Sequence, residues 1–252
     1  MRDLLFEADG YSKKNPEAAA QEHMRPVLPK RFYKDVTIDV DKKVAEQDEH
    51  QIVRVLLDGR KLKTPAKQEL ALPNEAAGEL VAAEWQAQET EINPAKMPIT
   101  RLANTAIDGI AADPQAVLED IVRFASNDLL CYRATHPENL VALQRESWDP
   151  ILDWITENCG ARFEVTEGIS SITQPREAVS LFSAKLSAHA SPLKLACLHT
   201  MTSLSGSGMI AFAIAEGFLD ADTAWKAAHI DEDFNISQWG EDYEAGKRRE
   251  NR

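Results

Sequence analysis

Two hydrophobic periods divide the chain. In DVTIDV, Val36, Ile38 and Val40 alternate with Thr37 and Asp39, the period of two that a half-buried strand produces. QIVRVLL then runs into Asp58-Gly59, and RKLKT follows. Asp-Gly between two extended runs predicts a hairpin, because a type I′ turn needs positive φ at both central residues. A further extended run, KQELAL, stops at Pro73. Four short strands with tight turns predict an antiparallel meander.

From Asn74 onward the period becomes helical. Asn74 is placed to cap EAAGELVAAEWQAQ, with Ala77, Leu80, Val81, Trp85 and Gln88 along one side. Asp113-Pro114 pairs a capping residue with proline at the first helical position, and Gln174-Pro175 and Ser191-Pro192 repeat that signature. Asp149-Pro150 likewise marks Trp148 as the residue leading into a helix. One helix is expected to stop at SLSGSG (203–208), with another from Met209 and a third from Asp222. FEVTEGI, from Phe163, reads as extended instead. Strands come first and helices after, which predicts an α+β protein: an antiparallel β-rich domain, then a larger all-helical domain. The expected divisions are an N-terminal arm (1–30, with a short helix across Pro16 to Met24), a β-rich domain (31–73), a helical domain (74–245) and a basic tail (246–252).

Charge narrows the function. Acids outnumber bases 41 to 28, a net charge of −13. Such a field repels phosphate backbones and anionic membranes, so no nucleic-acid partner is expected. Cys131, Cys159 and Cys197 are widely spaced, with no metal-ligand pattern, and read as reduced, buried thiols. The longest apolar stretch, Met209 to Leu219, is broken by Glu216 and Gly217. It falls far short of the ~20 residues a membrane span needs, so no membrane insertion is expected. The first seven residues carry two acids and no apolar core, unlike a secretory or transit peptide. A bacterial cytoplasmic location follows as the expectation.

Enzymatic signatures are weak. Gly206-Ser207-Gly208 lacks the lysine of a phosphate-binding loop, the histidines make no HExxH pattern, and there is no GxSxG. No cofactor and no metal are expected. The C-terminal segment is more informative. Between Asp231 and Glu244 lie six acids and no base, with Phe234, Trp239 and Tyr243 interleaved. Aromatics within a charged rim suit a docking surface, where rings supply contact area and charges orient the partner. Trp85 reads as core packing of its helix. Arg101, Asn104 and Asp108 recur at helical spacing, and Arg101 is placed to pair with an acid.

Seven stretches, in order, resemble one known family: RFYKDV (31–36), LDGRKLKTP (57–65), VAAEW (81–85), MPITRLANTAID (97–108), DLLCYR (128–133), WDPILDW (148–154) and QWGEDYE (238–244). The chain is similar to the assembly chaperones of the F-type ATP synthase that act on the alpha subunit of the catalytic head. Members occur in mitochondria, where the matrix is their compartment, and in alphaproteobacteria. The length, acidity and N-terminus of this chain look like a bacterial member. The resemblance implies a β-rich domain followed by a helical one, no catalysis, and one partner, the unassembled alpha subunit, whose subunit interface is shielded until assembly. A monomer is expected. On this reading the client contacts are Glu232, Phe234, Trp239, Glu241, Asp242 and Tyr243, with Trp85 and Arg101 in supporting roles. The alternative from a different class is a metal-assisted hydrolase using carboxylates of the helical domain.

Overall fold

The structure is a computed structural model and describes residues 27–45, 48–168, 170–241, 246–247 and 249. The helix expected across Pro16 to Met24 lies outside the described residues. Strand β1 (Val36–Ala45) pairs antiparallel with β2 (Asp48–Leu57), Val36 opposite Leu57. Val53, Val55 and Leu57 of β2 are buried. Asp58 (φ 48°) and Gly59 (φ 77°) form the expected turn.

The meander is where expectation and structure part. β3 (Arg60–Lys61) and β4 (Ala71–Leu72) both pair with the same edge of β2, Lys61 opposite Leu56 and Leu72 opposite Val53. The sheet is therefore three strands wide. The cause is a secondary turn between them. Thr64 N–H donates to the Gln68 carbonyl and Lys67 N–H to the Thr64 carbonyl, while the Thr64 hydroxyl accepts from Gln68 N–H. That closure doubles the chain back and lays β4 in line with β3.

Helix α1 (Glu75–Gln86) covers the sheet, and the Asn74 side chain accepts from Ala77 N–H at 2.9 Å as expected. Gly78 sets the approach: a Cβ there would lie 2.4 Å from Val53 Cγ1. The buried stripe is thus Gly78, Val81 and, half-buried, Trp85. Leu80, expected on that stripe, is 55% exposed. It stands about 100° round the helix from Val81, so a face set by Gly78 and Val81 turns it outward.

Next come α2 (Pro98–Thr105), a π-helical turn (Ala106–Ile110), and α3 (Pro114–Ala125) with its Asp113 cap. Helix α4 (Glu138–Cys159) holds Pro150 in its interior. Trp148 therefore sits mid-helix and fully buried instead of leading one. Proline removes one helical N–H bond. The helix continues because Trp148, Ile151 and Ile155 are buried and the indole N–H donates to the Ala227 carbonyl at 2.7 Å. Helix α5 (Arg176–Leu186) starts one residue later than the Gln174-Pro175 signature implied, with Pro175 as the cap. The Gln174 amide bonds the backbone N–H and C=O of Glu164 at 2.8 and 2.9 Å instead. Helix α6 (Pro192–Ser205) ends on left-handed Gly206, and α7 (Gly208–Ala215), α8 (Ala221–Ala228) and α9 (Ile230–Trp239) follow. Within the helical part, β5 (Tyr132–Arg133) and β6 (Thr166–Glu167) form a two-residue parallel pair, and β6 is the extended run expected near Phe163.

Buried apolar side chains form two clusters. One runs from Tyr33 to Ala103 around the sheet; the other, centred on Trp148, Phe182 and Phe212, runs from Ala106 to Ile230. Helix α2 and the π-helical turn join them, α2 giving Ala103 to the first and the turn giving Ala106 to the second, and Leu193 of α6 packs against both.

Candidate functional site

Helix α9 is held to α4 from beneath. Gln144 of α4 is buried; its carbonyl oxygen accepts from Ala134 N–H at 2.8 Å and its amide donates to the Asp231 carboxylate at 2.7 Å. One turn on, Trp148 bonds the end of α8. Ile230 is buried as the apolar anchor of α9. Asp231, Glu232 and Asp233 occupy its first turn, where the positive end of the helix dipole favours them.

The far end of α9 is open. Trp239 is 86% exposed. With Phe234 and Gln238 it lines a groove of about 470 Å³ whose other wall is Pro137 and Leu140 at the start of α4. Phe234 and Glu232 are half-buried, and Glu241 is exposed. Asp242 and Tyr243 lie outside the described residues, as does much of the basic tail. Of that tail, Arg249 pairs with Asp233 and sits over the Trp225 ring at 6.0 Å. Four of the six expected contact residues are therefore described, and all four lie on or just after one helix. An exposed indole thus stands beside a groove of mixed apolar and polar lining.

Trp85 and Arg101 belong elsewhere. Trp85 packs in the sheet cluster, its ring 5.6 Å from Tyr33, and its carbonyl accepts the Tyr33 hydroxyl at 2.7 Å. Arg101 is exposed and forms no ion pair with any described residue, so the acid expected for it is missing. Asp108 instead reaches back to the sheet, accepting from the Thr64 hydroxyl at 2.6 Å and Ala66 N–H at 3.0 Å.

Several working residues were not singled out from the sequence, although each lies in one of the motif stretches: Glu84 in VAAEW, Arg31 in RFYKDV and Asp128 in DLLCYR. Glu84 accepts from Ile99 N–H, Thr100 N–H and the Thr100 hydroxyl at 2.6 to 2.7 Å. It thereby satisfies the open N-terminus of α2, which has no cap of its own. Arg31 donates to the carbonyls of Tyr33, Lys34 and Gln88, and lies over the Tyr33 ring at 4.7 Å. Asp128 is fully buried and accepts from Leu130 N–H and from Met209 N–H at the start of α7. Burial pushes its carboxyl up to about 6. Cys131 and Cys159 are buried as expected, whereas Cys197 is half-buried; burial pushes the Cys131 thiol up to about 12 and raises Cys159 and Cys197, which disfavours the thiolate in each. Among the described residues no group of three or more His, Cys, Asp or Glu side chains is placed to hold a metal. No helix there is long and apolar enough to cross a membrane.

Residues 30–156 match the profile of the ATP12 chaperone protein family, a span containing six of the seven motif stretches. The chain belongs to the ATP12 chaperone family. As an ATP12 protein it is a chaperone of ATP synthase assembly. Its fold is similar to the crystal structure of Atp12 from Paracoccus denitrificans, with 38% identity and a TM-score of 0.77 over 88% of this chain and 91% of that one. It is similar also to a candidate chaperone from Agrobacterium tumefaciens, with 52% identity and a TM-score of 0.82 over 95% of this chain and 87% of that one. The mitochondrial atp12 protein of Schizosaccharomyces pombe is 25% identical over 79% of this chain and 72% of its own length. Helix α9 lies beyond the profile match.

Proposed function

We propose that this ATP12 protein binds the unassembled alpha subunit of the ATP synthase head, shields the surface that later meets a neighbouring subunit, and releases it on assembly. The client contacts are Glu232, Phe234, Trp239 and Glu241, continued by Asp242 and Tyr243. The observation that supports this most is Trp239, a large aromatic left 86% exposed beside a groove on a chaperone. An orphan subunit exposes apolar interface that aggregates. A holder with moderate affinity lowers the free concentration of that interface, then yields to a partner that buries more area. Trp85 and Arg101 support the fold rather than the contact. The protein works as a monomer in the bacterial cytoplasm, without catalysis or cofactor. The hydrolase using carboxylates of the helical domain is the weaker reading, since among the described residues no group of three or more His, Cys, Asp or Glu side chains is placed to hold a metal.

The test is a pull-down from a lysate of a cell making ATP synthase, with this protein as bait and bound proteins identified by mass spectrometry. The expected result is the alpha subunit without stoichiometric beta. A bait that recovers no alpha subunit while that subunit is being synthesised overturns the reading.

A further inference from the structure

A second concave surface lies on the sheet, built from other chemistry. It is a groove of about 590 Å³. Phe32 on its wall is 73% exposed, and its ring stands edge-on to the buried Tyr33 at 5.3 Å. Behind Tyr33 lies Trp85, whose indole N–H is buried without an acceptor. Three cations also line it: Arg60, Lys61 and Lys63. Lys61 is committed to Glu69 at 3.2 Å. Arg60 and Lys63 are exposed and pair with no described residue. The one acid of the lining, Asp58, is committed as well. Its carboxylate accepts from Lys34 and Asp35 N–H at 3.0 and 2.8 Å, which holds it below the ordinary carboxylate range. The groove thus offers an apolar wall and two cations without a described partner, on a chain whose net charge is −13.

We propose that this groove takes a short acidic segment of a partner polypeptide. An aliphatic or aromatic side chain seats against Phe32, and flanking carboxylates meet Arg60 and Lys63. Charge complementarity carries the choice of occupant, since the lining charges without a described partner are cationic while the rest of the molecule is acidic. A polypeptide fits better than single-stranded nucleic acid. Nucleic-acid platforms stack successive bases on successive exposed rings and track a long phosphate chain. Here one ring is open, and the surrounding field repels an extended polyanion while leaving a two- or three-carboxylate peptide to the local patch. The inference rests on the chaperone reading only in naming the client as the source of that segment.

The test is fluorescence anisotropy on the full chain with three labelled probes. These are a short peptide with a Leu-Phe pair flanked by Asp and Glu, the same peptide with every acid replaced by Lys, and an oligothymidine of matching length. The acidic peptide is expected to bind, more weakly as salt rises. Joint Arg60→Glu and Lys63→Glu should weaken it at least ~10-fold, and Phe32→Ser should weaken it without changing the salt dependence. Arg162→Glu, an exposed charge reversal on the helical part, should leave it unchanged. All four replaced side chains are exposed, so circular dichroism should match the wild type. Equal binding of the lysine peptide, wild-type binding by the double variant, or tighter binding of oligothymidine overturns the proposal. Because the assay contains no alpha subunit, its failure is distinct from failure of the lysate pull-down.

Discussion

The sheet region and the helical region differ in charge and in the way they expose aromatic surface. Residues 27–105, which supply the sheet cluster, carry 12 basic and 13 acidic side chains; residues 106–252 carry 12 and 23. The sheet region places Phe32 beside Arg60 and Lys63, which pair with no described residue, whereas the helical region places Trp239 at the end of a helix with three acids in its first turn. Their cores differ as well. The sheet cluster is one twisted layer closed by α1, where a single glycine lets backbone approach side chain. The helical cluster is larger and pinned by polar contacts made in the dry, the Trp148 indole and the Asp128 carboxylate. The helical region therefore depends on a few buried bonds, and the sheet region on close contact. Both aromatics are largely exposed, so the two proposed docking roles can be tested apart from stability.

The severest way to break the comparison is Trp148→Ala. It empties the centre of the helical cluster and removes the bond to Ala227, at a cost of about 4 kcal/mol. The thermal transition of the helical signal should fall sharply, and a shift within error would disprove the pinning role. Asp128→Asn is next. The folded carboxyl titrates at about 6 against 3.8 in the unfolded chain, so the folded state holds its proton more tightly. Its contribution is favourable below pH 4 and is lost as pH rises through 6, a swing of roughly 3 kcal/mol. Wild-type stability should carry that fall between pH 4 and 6.5, and the variant should lack it. Chemical denaturation at a series of pH values reads the difference; parallel curves would mean that Asp128 is not the titrating group. In the sheet region, Gly78→Val forces α1 off Val53 and should cost about 2 kcal/mol. Hydrogen exchange should rise in β2 and α1 more than in α4. The smallest effect on stability belongs to Trp239→Ala, within ~0.5 kcal/mol, and it sharpens the separation best if client binding falls with it.

Where the sequence was legible, the local chemistry was self-sufficient. Asn74, Asp113 and Asp58-Gly59 announce a cap, a cap and a hairpin because each satisfies its own neighbours. The acidic, aromatic composition of α9 was equally plain. Illegible features depend on partners distant in the chain. Pro150 reads as a helix start until Ala227 is seen to accept the Trp148 indole N–H. Leu80 reads as core until Gly78 fixes which face meets the sheet. The in-line placement of β3 and β4 follows from a turn centred on Lys67, whose positive φ of 67° has no glycine to signal it. Nor could spacing reveal that Glu84 caps a helix starting 14 residues later, or that Phe32 shares a groove with Arg60 and Lys63.

The most direct test of client docking is a titration of purified alpha subunit into the wild-type chain and into Trp239→Ala, with the melting temperature of each measured alongside. The account predicts wild-type binding, at least ~10-fold weaker binding by the variant, and matched melting temperatures. Undiminished alpha-subunit affinity in a folded Trp239→Ala chain would contradict it and move the contact away from α9.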